Sequence, residues 1–269
     1  MNLERYFARI GFRDRPTADL QTLRALHALH IEAIPFENLD VLLGRRIDMS
    51  EDAVVRKIVD GGRGGYCFEQ NTLFRGVLNA IGFRTEAFLG RIRRNVARDV
   101  RTPLTHMILR VTIDETPWLA DVGFGSLGTP APLRLDLETE QETPLEPRRI
   151  SRRGHAFFHQ ARLGEEWVDL YEFALDDPAP MDFELGNWFS CTHPKANFVN
   201  NLVVTRVEGT SRLLVNNREF MVRRLDGTAD KHEIGSHDEL VEILAMRYGL
   251  TFPEGTVIRA PGLVWPDRA

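Results

Sequence analysis

Before residue 83 the apolar positions recur at helical spacing. Leu20, Leu23, Leu26, Leu29 and Ile34 form one stripe, with Thr17 placed to cap it and Pro35 to stop it. Val54, Val55, Ile58 and Val59 form a second, opened by Ser50 with Glu51 and Asp52 in the first turn, where carboxylates meet the positive end of the helix dipole. From Phe68 onward, Phe74, Val77, Leu78 and Ile81 form a third, and Gly82 follows as its C-cap. That last helix begins at or beside Cys67. The expectation is a small helical bundle that presents Cys67 at its edge.

After Gly82 the pattern changes to a strand period. Thr85 to Ile92, Thr105 to Ile113, Trp118 to Val122, Ala156 to Leu163 and Glu166 to Phe173 read as short strands separated by turn residues. They make a β-rich unit, barrel or sandwich. The Glu-, Pro- and Arg-rich stretch from Leu137 to Arg153 reads as an exposed loop. Further strands are expected over Leu202 to Glu208, Arg212 to Val215 and Phe220 to Leu225. A helix then runs from a Ser236/Glu239 capping box to Gly249, with Leu240, Ile243 and Leu244 on its apolar face. The fold class is α+β, and the expected divisions are 1–83, 84–187 and 188–269. No repeat or Gly/Ser linker interrupts the chain, so its parts are expected to pack on one another.

Composition narrows the function. The 269 residues are 43% hydrophobic and 27% charged, ordinary for a globular chain. A net charge of −5 argues against general nucleic-acid binding, which draws on a clustered basic surface. No apolar run reaches membrane-span length, and Met1-Asn2-Leu3-Glu4-Arg5-Tyr6-Phe7 lacks the basic-then-apolar layout of a signal peptide, so a cytoplasmic location is expected. Two cysteines in that compartment read as free thiols.

The chemistry centres on Cys67. Gly61-Gly62-Arg63-Gly64-Gly65 is a backbone able to turn sharply and approach a ligand, and a thiol at a helix N-terminus is favoured as thiolate by the dipole and the free N–H groups. A base is needed, and His106 in Thr105-His106-Met107-Ile108-Leu109-Arg110-Val111 is the candidate. It shares a strand face with Ile108 and Arg110, while Met107, Leu109 and Val111 face a core. Asp121, set among apolar residues, needs a partner that an imidazole N–H would supply, fixing the tautomer that leaves the other nitrogen for sulfur. Hairpin register tests the set. A turn on Ile113 and Asp114 puts His106 opposite Asp121; a turn on Asp114 and Glu115 makes them diagonal neighbours; a turn on Glu115 and Thr116 separates them unless a bulge intervenes. All three registers remain open in the sequence.

Other signals are weaker. Arg63 beside the glycine turn needs an acid, and Glu37 is placed to provide it. Arg91, Arg93, Arg94, Arg98 and Arg101 could meet phosphates or form a solvated loop. His27 and His30 read as packed or surface histidines, and His155 and His159 lie in a strand-like stretch where a four-residue spacing does not make a zinc site, so no metal is expected. Cys191 reads as a buried or half-buried small residue beside Trp188 and Phe189, while Glu69 and Asn71 read as groups supporting the nucleophile.

Arg63-Gly64-Gly65-Tyr66-Cys67-Phe68-Glu69-Gln70-Asn71 resembles the active-site motif of the arylamine N-acetyltransferases. Ile34-Pro35-Phe36-Glu37-Asn38-Leu39, Thr105-His106 and Asp121-Val122-Gly123-Phe124-Gly125 are similar to that family too. The resemblance implies a cysteine-proteinase-like core with an N-terminal helical bundle, a β-barrel, and an interdomain segment with an α/β lid. It also implies acetyl-CoA as co-substrate rather than a permanently bound cofactor, and an arylamine or arylhydrazine as acceptor. By position, Cys67 takes the acetyl group in a ping-pong cycle and His106 and Asp121 complete the triad. Phe36 and Phe124 line the acceptor pocket with Phe198 as a further aromatic; Thr105, Gly123 and Gly125 lie along the acetyl and pantetheine path, and Ile92 is carried as a binding candidate. The partners expected are those two small molecules, with no nucleic acid or membrane and with a homodimer left open. An amide synthase of the same fold that closes an aryl-amine polyketide lactam, a cysteine hydrolase, and a non-enzymatic binding module are the alternatives.

Overall fold

The computed structural model describes residues 1–97 and 99–266. Helices lead: α1 (Leu3–Ile10), α2 (Leu20–Ala33), the short strand β1 (Phe36–Glu37), α3 (Leu39–Leu42), α4 (Glu51–Val54) continuing as a π-helical segment Val55–Asp60, and α5 (Cys67–Ile81). Strands follow: β2 (Arg84–Ile92), β3 (Leu104–Ile113), β4 (Thr116–Ala120), β5 (Leu133–Arg134), β6 (Arg148–Arg153), β7 (Ala156–Leu163) and β8 (Glu166–Phe173). The chain then forms α6 (Pro180–Thr192), α7 (Asn197–Asn200), β9 (Val203–Glu208), β10 (Ser211–Asn216), β11 (Glu219–Arg223), β12 (Ala229–Glu233) and α8 (His237–Tyr248).

Several boundaries have local causes. Asp19, not Thr17, caps α2: its carboxylate accepts the Thr22 N–H at 2.8 Å, and the Thr17 hydroxyl donates to Asp19 instead. Gly82 and Gly249 end α5 and α8 in the left-handed conformation expected of them. The stretch read as a loop from Leu137 to Arg153 holds strand β6. Its polar sequence conceals Arg148, which is buried through ion pairing rather than through apolarity. Helix α6 was not expected, because Pro178, Pro180 and Gly186 interrupt the pattern and Met181, Leu185 and Trp188 face outward.

Among the described residues, one sheet runs β5-β4-β3-β2-β8-β7-β6 and a second runs β1-β9-β10-β11-β12, with antiparallel pairing throughout. The first curls until its edges meet. Gln141 closes the gap: its side chain bonds the Arg134 N–H and C=O at 2.8 and 2.9 Å, and its own N–H donates to the Arg148 carbonyl at 2.7 Å. The result is a nearly closed barrel whose edge groups find partners.

Strand β3 separates two cores. Met107, Leu109 and Val111 pack against Phe68, Phe74, Val77 and Leu78 of α5, while Ile108 turns into the barrel with Phe88, Leu119, Leu170 and Tyr171. Each fully buried aliphatic or aromatic side chain of α5 contributes on the order of 1.5–3 kcal/mol, so the start of that helix is held firmly against the sheet. A third cluster, including Leu213, Val215, Leu240 and Leu244, joins α8 to the second sheet. Among the described residues, no helix is long and apolar enough to cross a membrane.

Candidate active site

Cys67 is the first residue of α5 and is almost wholly buried, its Sγ 3.5 Å from the Thr105 carbonyl. The preceding turn is fastened from below. A Cβ on Gly64 would lie 2.0 Å from the Pro35 carbonyl, so only glycine passes there. Arg63 meets Glu37 at 2.8 Å and Asp40 at 3.2 Å, and Lys57 meets Asp40 at 2.9 Å and Glu69 at 2.6 Å. Glu69 in turn accepts the Tyr66 N–H at 3.1 Å. Burial, opposed by Lys57 and reinforced by Glu37, pushes the Glu69 carboxyl up to about 7. The expected Arg63–Glu37 pair therefore lies within a buried charge network beneath the nucleophile.

His106 and Asp121 converge with it. Ile113 pairs with Thr116, so the β3–β4 turn falls on Asp114 and Glu115, both at positive φ (46° and 58°). This is the primed two-residue hairpin that suits the twist of the strands, and it makes His106 and Asp121 diagonal neighbours. Asp121 lies just beyond the last β4 residue. His106 Nε2 is 2.7 Å from Asp121 Oδ2, which leaves Nδ1 for the sulfur. Both residues are buried. Burial would lower the His106 pKa, but Asp121, aided by the neighbouring Cys67, raises it to about 10. The opposing burial effect on Asp121 is likewise overcome by His106, Asn71 and the Gly123 N–H, which hold its carboxyl far below the usual range.

Asn71 is the joint between these segments. Its Nδ2 donates to Asp121 Oδ1 at 3.0 Å and to the Met107 carbonyl at 2.8 Å, while its Oδ1 accepts the Val122 N–H at 3.1 Å. One amide thus fixes α5, β3 and the chain after β4, in keeping with the supporting role read for it. Gly123 allows the close approach, since a Cβ there would sit 2.6 Å from Cys67 Cα.

The aromatic residues assemble around this centre. Phe124 meets the His106 ring edge-on at 5.2 Å, Phe36 packs on Phe198 at 5.7 Å, and Phe198 on Tyr66 at 5.5 Å. A Cβ on Gly125, at φ +83°, would touch the Phe36 ring at 3.4 Å. Asn38 brings in the distant Phe198 by donating to the Phe198 and Asn201 carbonyls, both at 2.8 Å, and accepting the Val203 N–H at 2.9 Å. Thr105 presents its carbonyl to Cys67, whereas Ile92 pairs with Tyr171 and, partly buried, packs against the barrel core.

Sequence reasoning missed two neighbours. Tyr171 lies 4.7 Å from the His106 ring, and the Tyr66 hydroxyl donates to Asn187 on α6. Neither carries a local motif; only the pairing of β8 with β2 and the docking of α6 bring them in. His27 and His30 are buried, with His30 held between the Tyr6 hydroxyl at 2.8 Å and Gln70 at 2.6 Å. Cys191 is half-buried, as read. Within the arginine run, Arg91 and Arg93 bond carbonyls of their own loop, Arg94 donates to Ser126 Oγ at 2.6 Å, and Arg98 lies outside the described residues. Burial, then the charges of Arg223 and Arg212, lower the Arg94 pKa, which marks a basic group beside the Phe124 loop.

A family model described as N-acetyltransferase matches residues 19–257. The arylamine N-acetyltransferase of Mycolicibacterium smegmatis is 37% identical to this chain, covering 93% of it and 92% of the relative. The arylamine N-acetyltransferase / N-hydroxyarylamine O-acetyltransferase of Salmonella typhimurium is 35% identical, covering 92% of this chain and 88% of its own. Among solved structures, the Mycobacterium marinum arylamine N-acetyltransferase in complex with CoA superposes with a TM-score of 0.89 at 37% identity, over 92% of each chain.

Proposed function

The chain belongs to the arylamine N-acetyltransferase family of acetyl-CoA-dependent acyltransferases, and on that premise we propose that it acetylates arylamines or arylhydrazines by a ping-pong cycle through acetyl-Cys67. The observation that carries this reading is the His106 ring, bonded through Nε2 to Asp121 with Nδ1 left for a sulfur at the head of α5.

In the first half-reaction the proton of the Cys67–His106 pair stands on the ring, in keeping with the raised His106 pKa, and Sγ attacks the thioester carbonyl. The C–S bond to CoA breaks, and the departing thiolate takes the proton from His106 to leave as CoA-SH. The ring is then neutral. In the second half-reaction the amine nitrogen attacks the acetyl carbonyl and gives its proton to His106, and the bond to Cys67 Sγ breaks as that proton returns to sulfur. The main-chain N–H of Cys67, at the positive end of α5, is placed to steady the oxyanion of both tetrahedral species. Phe36, Phe124 and Phe198 offer flat apolar faces for an aryl ring, and Arg94 with Arg223 is assigned to the CoA phosphates.

The kinetic test separates this cycle from direct transfer within a ternary complex. Mixed with acetyl-CoA and no acceptor, the protein is expected to release about one equivalent of CoA-SH per chain in a fast burst. CoA release that waits for the arylamine would exclude the acetyl-enzyme.

A further inference from the structure

The loop that follows Asp121 is pinned at two places. Upstream, Val122 is held by Asn71. Downstream, the Gly128 N–H closes a turn on the Gly125 carbonyl at 2.8 Å, and the carbonyls beyond are taken by two buried guanidiniums. Arg148, fully buried on β6, donates to Leu127 O and Gly128 O, both at 3.1 Å. Arg212, 3% exposed on β10 of the other sheet, donates to Gly128 O at 3.0 Å. Glu146 binds both: Arg212 grips it through two nitrogens at 3.0 and 2.8 Å, and Arg148 meets it at 3.1 Å. Burial works against the charge on Glu146, yet Arg212 and then Arg148 pull its carboxyl down to about 2.

Two cations share one anion here, and each guanidinium also donates to main-chain oxygens, with Arg148 Nε left unpaired among the described residues. Such forked, charge-assisted contacts fix direction as well as distance. Between the two pins lie Phe124, against the His106 ring, and Gly125, against Phe36. The triad itself depends on the upstream pin alone: Asp121 is bonded by Asn71, the Gly123 N–H and His106. The downstream pin therefore bonds the stretch that carries the aromatic wall, and it meets the triad through the Phe124–His106 ring contact rather than through the hydrogen bonds that hold Asp121.

We propose that Glu146, Arg148 and Arg212 are positioning residues that set the Phe124–Gly125 wall, so that the second sheet governs how tightly the acceptor is held. This rests on Phe36 and Phe124 lining the acceptor pocket. Arg212→Met is the informative variant, because it keeps the Glu146–Arg148 pair, whereas Glu146→Gln would leave two buried guanidiniums uncompensated. With p-anisidine as acceptor, Arg212→Met is expected to raise both KM and the calorimetric Kd about tenfold, while acetyl-Cys67 formation stays within about twofold of the parent and Arg212→Lys recovers part of the affinity. Should Arg212→Met fail to fold, Arg212→Lys carries the same comparison with a smaller loss. An acceptor Kd within about twofold of the parent overturns the proposal, and so does a parallel fall in acylation and acceptor binding. If the parent forms no acetyl-enzyme, the cycle proposed above fails, while the Kd comparison still decides this one.

Discussion

Asp121→Asn is expected to lower kcat/KM for an arylamine by about 10³- to 10⁴-fold while leaving the fold intact, the scale on which tautomer errors act in acyl-transfer triads. An asparagine oxygen can still accept from Asn71 and the Gly123 N–H, the two donors on Asp121 Oδ1. Its amide would then face His106 Nε2 as a donor. The ring would be forced to carry its proton on Nδ1, the nitrogen that must receive one from Cys67. Steady-state kinetics with circular dichroism as the fold control checks this, and a variant within about tenfold of the parent would sink the assignment of Asp121.

The same substitution should alter stability against pH. His106 is raised from 6.5 to about 10 in the folded protein, so its contribution is fully present below pH 6.5 and is lost as pH rises toward about 10. Asp121 is shifted the other way; its contribution is present above the ordinary carboxylate range and is lost in acid as pH falls through its depressed pKa. Asp121→Asn removes the partner that raises His106. The decline in Tm on the alkaline side should therefore flatten in the variant, and an unchanged slope would show that this pair is not its source.

Gly123→Ala carries the second large effect. The added methyl would sit 2.6 Å from Cys67 Cα, 2.9 Å from Asn71 Nδ2 and 3.1 Å from the Cys67 carbonyl, so relief must come from the backbone of the nucleophile or from the amide that holds Asp121. Overpacking of this kind costs about 1–3 kcal/mol of stability. Displacing the thiol by about 1 Å costs on the order of 10²-fold in rate. We expect a folded protein with Tm lowered by several degrees and acetylation reduced about 10²-fold or more. Parental activity would mean that the chain does not pass Cys67 so closely.

How much of this was legible depends on where the information lies. Helix α5 announces itself by its apolar period and Gly82, and Cys67, His106 and Asp121 stand out because each is chemically costly where the pattern places it. The hairpin register does not, because it rests on Asp114 and Glu115 adopting positive φ without glycine at either position. Asn71 was visible as a neighbour of the nucleophile, but its three bonds arise only when α5, β3 and the Val122 segment meet. Tyr171, Asn187 and Arg212 come from distant segments with no motif of their own. Strand β6 looked like a loop because only Ile150 among its residues is apolar, while Arg148, also buried, is a charge whose burial depends on Glu146 and two main-chain carbonyls. Helix α6 escaped for a related reason: Gly186, which would break a helical pattern, is required where a Cβ would strike Phe68 and the Leu104 carbonyl, each at 2.8 Å.

That one sulfur carries the acetyl group between donor and acceptor is tested most directly by rapid quenching after mixing with acetyl-CoA, followed by mass analysis of the peptides. The mass of one acetyl group on the peptide containing Cys67, absent in Cys67→Ala and discharged when an arylamine is added, is the predicted result. Sustained formation of N-acetylated arylamine with Cys67 never found acetylated, or with the label on another residue, would contradict it.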